Sequence, residues 1–162
     1  MNRRLVLALL LAAPIATRLS ALAATAAKAP QPELPKETLT ITGPAGTAHV
    51  FQVEMARTEA EQITGLMYRT HVAPAGGMLF IWPRPQISRM WMKHTLVPLD
   101  MVFIRADGTI DSIAEDTVPQ SLRVIASHGK VIATLELAGG TTRRLGITVG
   151  DKVTGPMFHP GG

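Results

Sequence analysis

The sequence predicts an α+β domain, mainly β: a small antiparallel curled sheet or partly closed barrel with one or two short helices. Three observations carry that expectation. Short alternating segments recur along the chain, turn residues separate them at close spacing, and only one segment carries a strong helix-start signal. A chain of 162 residues has room for one domain.

Met1-Asn2-Arg3-Arg4 is a short basic start, and Leu5 to Ile15 is an apolar run. That run has the length of a signal-peptide core and is too short to span a bilayer comfortably. Ala21-Leu22-Ala23 supplies the small-x-small pattern of a cleavage site. Residues 1–23 are therefore expected to be a secretory signal peptide, cleaved near Ala23 or Ala26; the alternative is an uncleaved anchor. Loss of Arg3, Arg4 and Arg18 removes three of the 16 Lys and Arg residues and no acid, leaving 13 against 12. The basic balance thus belongs to targeting, and no nucleic-acid partner is expected. With no cysteine, the chain has no disulfide, thiol nucleophile or Cys-ligated zinc.

The remaining elements follow in order. Residues 24–36 read as a polar, extended linker, because Lys28–Lys36 (KAPQPELPK) holds three prolines in nine residues. The domain is expected over 37–155. Thr38–Thr42 and His49–Met55 alternate around the turn Gly43-Pro44-Ala45-Gly46 and read as a β-hairpin. Thr58 followed three residues later by Glu61 is a capping box, and Gly65 suits the helix end, which gives about two helical turns. Met78–Trp82 is an apolar strand, broken by Trp82-Pro83-Arg84-Pro85. Arg89–Thr95 is read as a strand and Leu99–Ile104 as another. Asp107-Gly108 makes a hairpin turn into Thr109–Glu115. Val131–Leu137 is a strand, Thr141–Gly146 a short helical turn, and residues 156–162 a flexible C-terminal tail.

The stretch Met90-Trp91-Met92-Lys93-His94 is the most unusual in the chain. On a strand, Met90, Met92 and His94 share one face, and Trp91 and Lys93 the other. The first face offers thioether and imidazole ligands suited to Cu(I), with core packing as the bland alternative. The second offers an apolar wall and a cation to an anionic or ring-bearing ligand, with a half-exposed strand as its alternative. Asp100 and Glu136 lie inside apolar strands, so each carboxyl is either partnered or driven towards neutrality. They are a possible acid–base pair for an envelope hydrolase, or structural acceptors. No nucleophile elbow, P-loop, zincin helix or dinucleotide fingerprint is present, and no cofactor is expected.

Gly65-Leu66-Met67-Tyr68-Arg69, Gly77-Met78-Leu79-Phe80, Trp91-Met92-Lys93-His94-Thr95-Leu96-Val97-Pro98-Leu99-Asp100 and Leu135-Glu136-Leu137-Ala138-Gly139 together resemble the domain-of-unknown-function 192 family. The resemblance runs from about Leu39 to Val153. His94 departs from the Asn usual in the family, and Met90 stands where an aromatic is frequent. The resemblance implies a compact, β-rich, exported or envelope-associated domain and no particular reaction. It also places Arg69, Trp91, Lys93, Asp100 and Glu136 in matching blocks. The functional expectation is a non-enzymatic periplasmic or extracellular domain that binds a small polar or anionic ligand, or an envelope component, through those five residues.

Overall fold

A computed structural model describes residues 29–158. The expected signal peptide, residues 24–28 of the linker and residues 159–162 of the tail lie outside the described residues. The elements are β1 (Lys36–Thr42), β2 (Ala48–Ala56), α1 (Glu59–Thr64), β3 (Gly76–Gln86), β4 (Arg89–Met90), β5 (Leu99–Ile104), β6 (Ile110–Thr117), β7 (Ile125–Ala126), β8 (Val131–Ala138), α2 (Thr141–Leu145) and β9 (Lys152–Thr154). Seven of the strands form one sheet in the order β6-β5-β8-β3-β2-β1-β9; β4 and β7 make a separate two-stranded pair.

The sheet curls until its edges meet at one end. Val153 N–H donates to Gly108 O at 2.8 Å and Ile110 N–H to Asp151 O at 2.9 Å, which joins the β9 edge to the start of β6. The partly closed, mainly β architecture agrees with the sequence. The purely antiparallel sheet does not: β2 and β3 run parallel, with Glu54 opposite Met78 and Met55 opposite Leu79. The segment from Arg57 to Ala75, including α1, is long enough to cross over the sheet and return the chain in the same direction.

Alternation divides the sheet into two apolar faces. Leu39, Phe51, Val53, Leu79, Val102 and Leu135 face the enclosed side. Met78, Phe80, Leu99, Met101 and Phe103 face the other, where Leu66 and Met92 from the loops cover them. Full burial of such side chains is worth about 1.5–3 kcal/mol each, so both faces stabilise the fold. Phe158 also belongs to the enclosed core and is 3% exposed. Ordered packing therefore extends into the segment expected to be tail. The linker is likewise docked from Gln31 onward: Leu34 N–H donates to Glu54 Oε2 and Met55 N–H to Pro35 O.

The capping box of α1 is formed on both sides. Glu61 N–H donates to Thr58 Oγ1, and Thr58 N–H to Glu61 Oε2. Gly65 ends the helix at φ 49°, with the Phe80 ring so close that a Cβ would meet Cζ at 2.9 Å. Gln62 Nε2 donates to Ala56 O and Ile81 O and pins the helix over β2 and β3.

The expected strand over Arg89–Thr95 stops after Met90. Beyond it the backbone turns: Thr95 N–H donates to Met92 O, and His94 adopts φ 55°. Turning there lets Met92 drop fully into the second core, where its Sδ accepts from Thr117 Oγ1 at 3.1 Å. Strand alternation is therefore not what sorts the side chains of this stretch; the turn does.

Candidate functional site

The second apolar face carries a row of side chains across four strands. Glu54 on β2 stands opposite Met78 on β3, Met78 opposite Glu136 on β8, and Glu136 opposite Met101 on β5. Glu54 is compensated: its Oε2 accepts from Arg69 Nη2 at 2.9 Å and from Leu34 N–H at 2.8 Å. Glu136 is not. It is 4% exposed, lies between two methionines, and among the described residues its carboxyl makes no side-chain ion pair or hydrogen bond. Burial alone pushes its pKa up to about 8, so the group is mostly neutral at pH 7.

Glu136 forms part of the wall of a cavity of about 320 Å³ between α1, β3 and the Met90–Thr95 turn. Phe80, Trp82, Leu66 and Met90 supply apolar walls, Trp91 stands at 48% exposure, and Arg89 and Glu59 reach it from exposed positions. Phe80 and Trp82 stack with ring centroids 6.3 Å apart. The Trp82 indole N–H is buried without a partner among the described residues. The cavity thus holds two polar groups in aromatic surroundings: this enclosed indole donor, and a carboxyl that opens onto the cavity. Buried polar groups are ordinarily hydrogen-bonded, so the Trp82 donor, with the unpaired Glu136 carboxyl beside it, marks this cavity.

Gly77 is what lets β3 lie so close to β8. A Cβ there would collide with the Glu136 carbonyl oxygen. The close approach fixes the backbone that carries Glu136.

The five residues expected to cluster are divided by the structure. Trp91 and Glu136 share the cavity. Lys93 stands beside it, its Nζ 5.1 Å from the centroid of the Trp91 ring. Arg69 belongs to a neighbouring cavity of about 330 Å³ and is bound to Glu54, although its Nε is buried without a partner. Asp100 lies on the opposite face of the sheet, because it pairs across β5 and β8 with Leu137, the neighbour of Glu136. Its carboxylate is saturated. Oδ1 accepts from Asp116 N–H and Gly140 N–H, and Oδ2 from Thr142 N–H and Thr142 Oγ1, all at 2.8–2.9 Å.

Asp100 therefore ties α2 and the end of β6 to β5, the structural role weighed for it above. With the two carboxylates on opposite faces, they share no cleft, so they do not form the acid–base pair. The copper set is also dispersed in role. Met92 is enclosed, Met90 is half-buried in the cavity wall, and His94 stacks on Tyr68 with ring centroids 5.2 Å apart.

Sequence reasoning missed Phe80, Trp82 and the inner side of α1. The signal for the first two was present: by alternation Met78, Phe80 and Trp82 share one face of β3, and Trp82 carries a polar N–H. What alternation along one strand could not give is the register that sets this row beside Glu136.

Two solved structures are similar over nearly their whole length. One, from Sinorhizobium meliloti 1021 and described provisionally as a transcription regulator, is 42% identical, with TM-score 0.75; the match covers 77% of this chain and 97% of that one. The other, a protein of unknown function from Novosphingobium aromaticivorans DSM 12444, is 41% identical, with TM-score 0.73; the match covers 80% of this chain and 94% of that one. No curated protein matches. The family model of DUF192, described as an uncharacterized ACR, matches residues 40–155. The match spans the whole sheet from within β1 to the residue after β9, with Leu66, Trp91, Asp100 and Glu136 inside it, and the chain belongs to the DUF192 family.

Proposed function

We propose that this domain is a non-enzymatic binding module of the periplasm or cell exterior. Its cavity takes a small ligand with an apolar, ring-bearing or chain-like body and one polar group that accepts a hydrogen bond. The observation that carries the reading is Glu136: a buried carboxyl with no side-chain partner in an aromatic-walled cavity. Structural networks also perturb acids, but Glu136 stands outside any such network. Its cavity is at the small end of the range of about 300–1,000 Å³ typical of ligand sites.

In the neutral form Glu136 donates to a carbonyl, ether or phosphoryl oxygen of the ligand, and the Trp82 N–H is a second donor. Trp91 closes the mouth, with Lys93 holding its ring. A ligand that is anionic throughout has less support than the sequence suggested, because Arg69 is engaged by Glu54. Export rests on the basic start, the apolar run and the small-x-small site at the amino terminus. The regulatory description of the Sinorhizobium relative is not carried over: without the expected signal peptide, 13 basic residues against 12 acids leave almost no net positive charge, and Lys36, Arg57, Arg69, Arg105, Arg143 and Lys152 are already in ion pairs.

A thermal-shift screen of small amphiphiles tests the reading. Hits should stabilise the wild-type chain, lose their effect in Glu136→Leu and Trp91→Ala, and keep part of it in Glu136→Gln. Their effect should also fade as the pH rises past about 8, where Glu136 ionises. Hits that stabilise all three variants as well as wild type place the ligand elsewhere and refute the site.

A further inference from the structure

Two chain segments next to the cavity run side by side. Arg89 pairs with Ala126 and Met90 with Ile125; Met92 N–H then donates to Ser121 O, and Gln120 N–H to Thr95 O. Residues 89–96 and 118–126 are thereby joined into one lip. Five of the nine large apolar side chains exposed among the described residues lie on it: Trp91, Leu96, Val118, Leu122 and Val124. Such a concentration is not the single scattering that ordinary surfaces show.

The charges on the lip have one sign. Arg89, Lys93 and Arg123 are interleaved with the apolar residues, and among the described residues none of the three has an ion-pair partner. The acids nearest in sequence, Glu115 and Asp116, are both paired with Arg143. An exposed tryptophan among aliphatic side chains and free cations is the composition of a bilayer interface: the indole sits at headgroup level and the cations meet anionic headgroups.

The chain also enters on this side. Gln31 Nε2 donates to Glu61 O and Gly65 O, and Gly65 lines the cavity that Trp91 and Arg89 line. The apolar run ends at Ile15. From there to Gln31 even a fully extended chain reaches only roughly 55 Å, so a bilayer that held the uncleaved run would lie within reach of the lip.

We propose that the paired segments 89–96 and 118–126 form a membrane-docking lip that rests on an anionic lipid surface. The lip does not require the cavity to bind anything; if both hold, the mouth of the cavity opens at the bilayer.

The test follows the tryptophan emission of the full chain on vesicles of phosphatidylglycerol and phosphatidylcholine with brominated acyl chains. Depth at Trp91 is the readout, because the amino-terminal run could bind vesicles by itself. Quenching is expected in the wild type. It should be lost in Trp91→Phe, mostly lost in the double variant L122E/V124E, and reduced in Arg123→Glu at low salt. Leu122, Arg123 and Val124 are all exposed, so an unchanged Tm shows that these variants remain folded. An unquenched wild type overturns the proposal, as does equal quenching in L122E/V124E. Sedimentation supplies the remaining outcome: a dimer that L122E/V124E splits, with Trp91 unquenched by vesicles, overturns membrane docking in favour of a second copy of this chain.

Discussion

Asp100 and Glu136 are both buried carboxyls, on adjacent strands and one residue apart in register, yet they are opposites. Asp100 accepts four hydrogen bonds, from three backbone N–H groups and the Thr142 hydroxyl. Glu136 meets methionines on both sides and, among the described residues, no donor. The difference separates scaffold from site. A saturated acid has no capacity left for a ligand, whereas an unsatisfied one lowers stability unless something else in the protein's surroundings uses it. Both are buried carboxyls; the census of partners tells them apart.

The comparison can be broken from either side. Asp100→Asn places an amide NH2 against donors and should cost about 3–5 kcal/mol, measured by chemical denaturation. A loss below about 1 kcal/mol would mean that the four bonds do not hold α2 in place.

Glu136→Gln should act in the other direction. The folded chain keeps the Glu136 proton up to about pH 8, whereas an unfolded glutamate releases it near the ordinary value of 4.5. Between these values the folded state binds more protons than the unfolded. This contribution to stability is therefore complete below about pH 4.5 and is lost as the pH rises towards 8, at about 1.4 kcal/mol per pH unit. The glutamine variant removes that slope and should be the more stable chain at pH 8, by about 4 kcal/mol. Parallel stability curves for the two chains would contradict the assignment.

The smallest effect is expected at Trp91. At 48% exposure, Trp91→Ala should change stability by about 0.5 kcal/mol or less while abolishing ligand-induced stabilisation. A large loss of Tm would make Trp91 part of the core instead of the cavity mouth.

Much of the fold was legible in the sequence because it rests on local signals. The Thr58–Glu61 capping box, the Asp107-Gly108 turn and the alternation of Val131–Leu137 each act within a few residues, and each appears where expected. The parallel β2–β3 pair was not legible, since the direction of pairing depends on how far the Arg57–Ala75 crossover carries the chain. The Arg89–Thr95 strand was misread for a similar reason. Its composition suits a strand, but burial of Met92 and the hydrogen bonds of the turn outweigh it. At the site, sequence identified Trp91 and Glu136 as notable and could not say that they meet, nor that Asp100 faces away. Faces follow from alternation; which strand lies next, and in what register, does not.

The candidate site turns on a neutral Glu136. The most direct measurement is the carboxyl 13C shift of Glu136, assigned by comparison with Glu136→Gln and followed as a function of pH in the folded chain. A midpoint near 8, well above those of the other glutamates, is the predicted result. A midpoint in the ordinary carboxylate range, near 4.5, would show the group charged and compensated at neutral pH, and would contradict both the contrast with Asp100 and the site built on it.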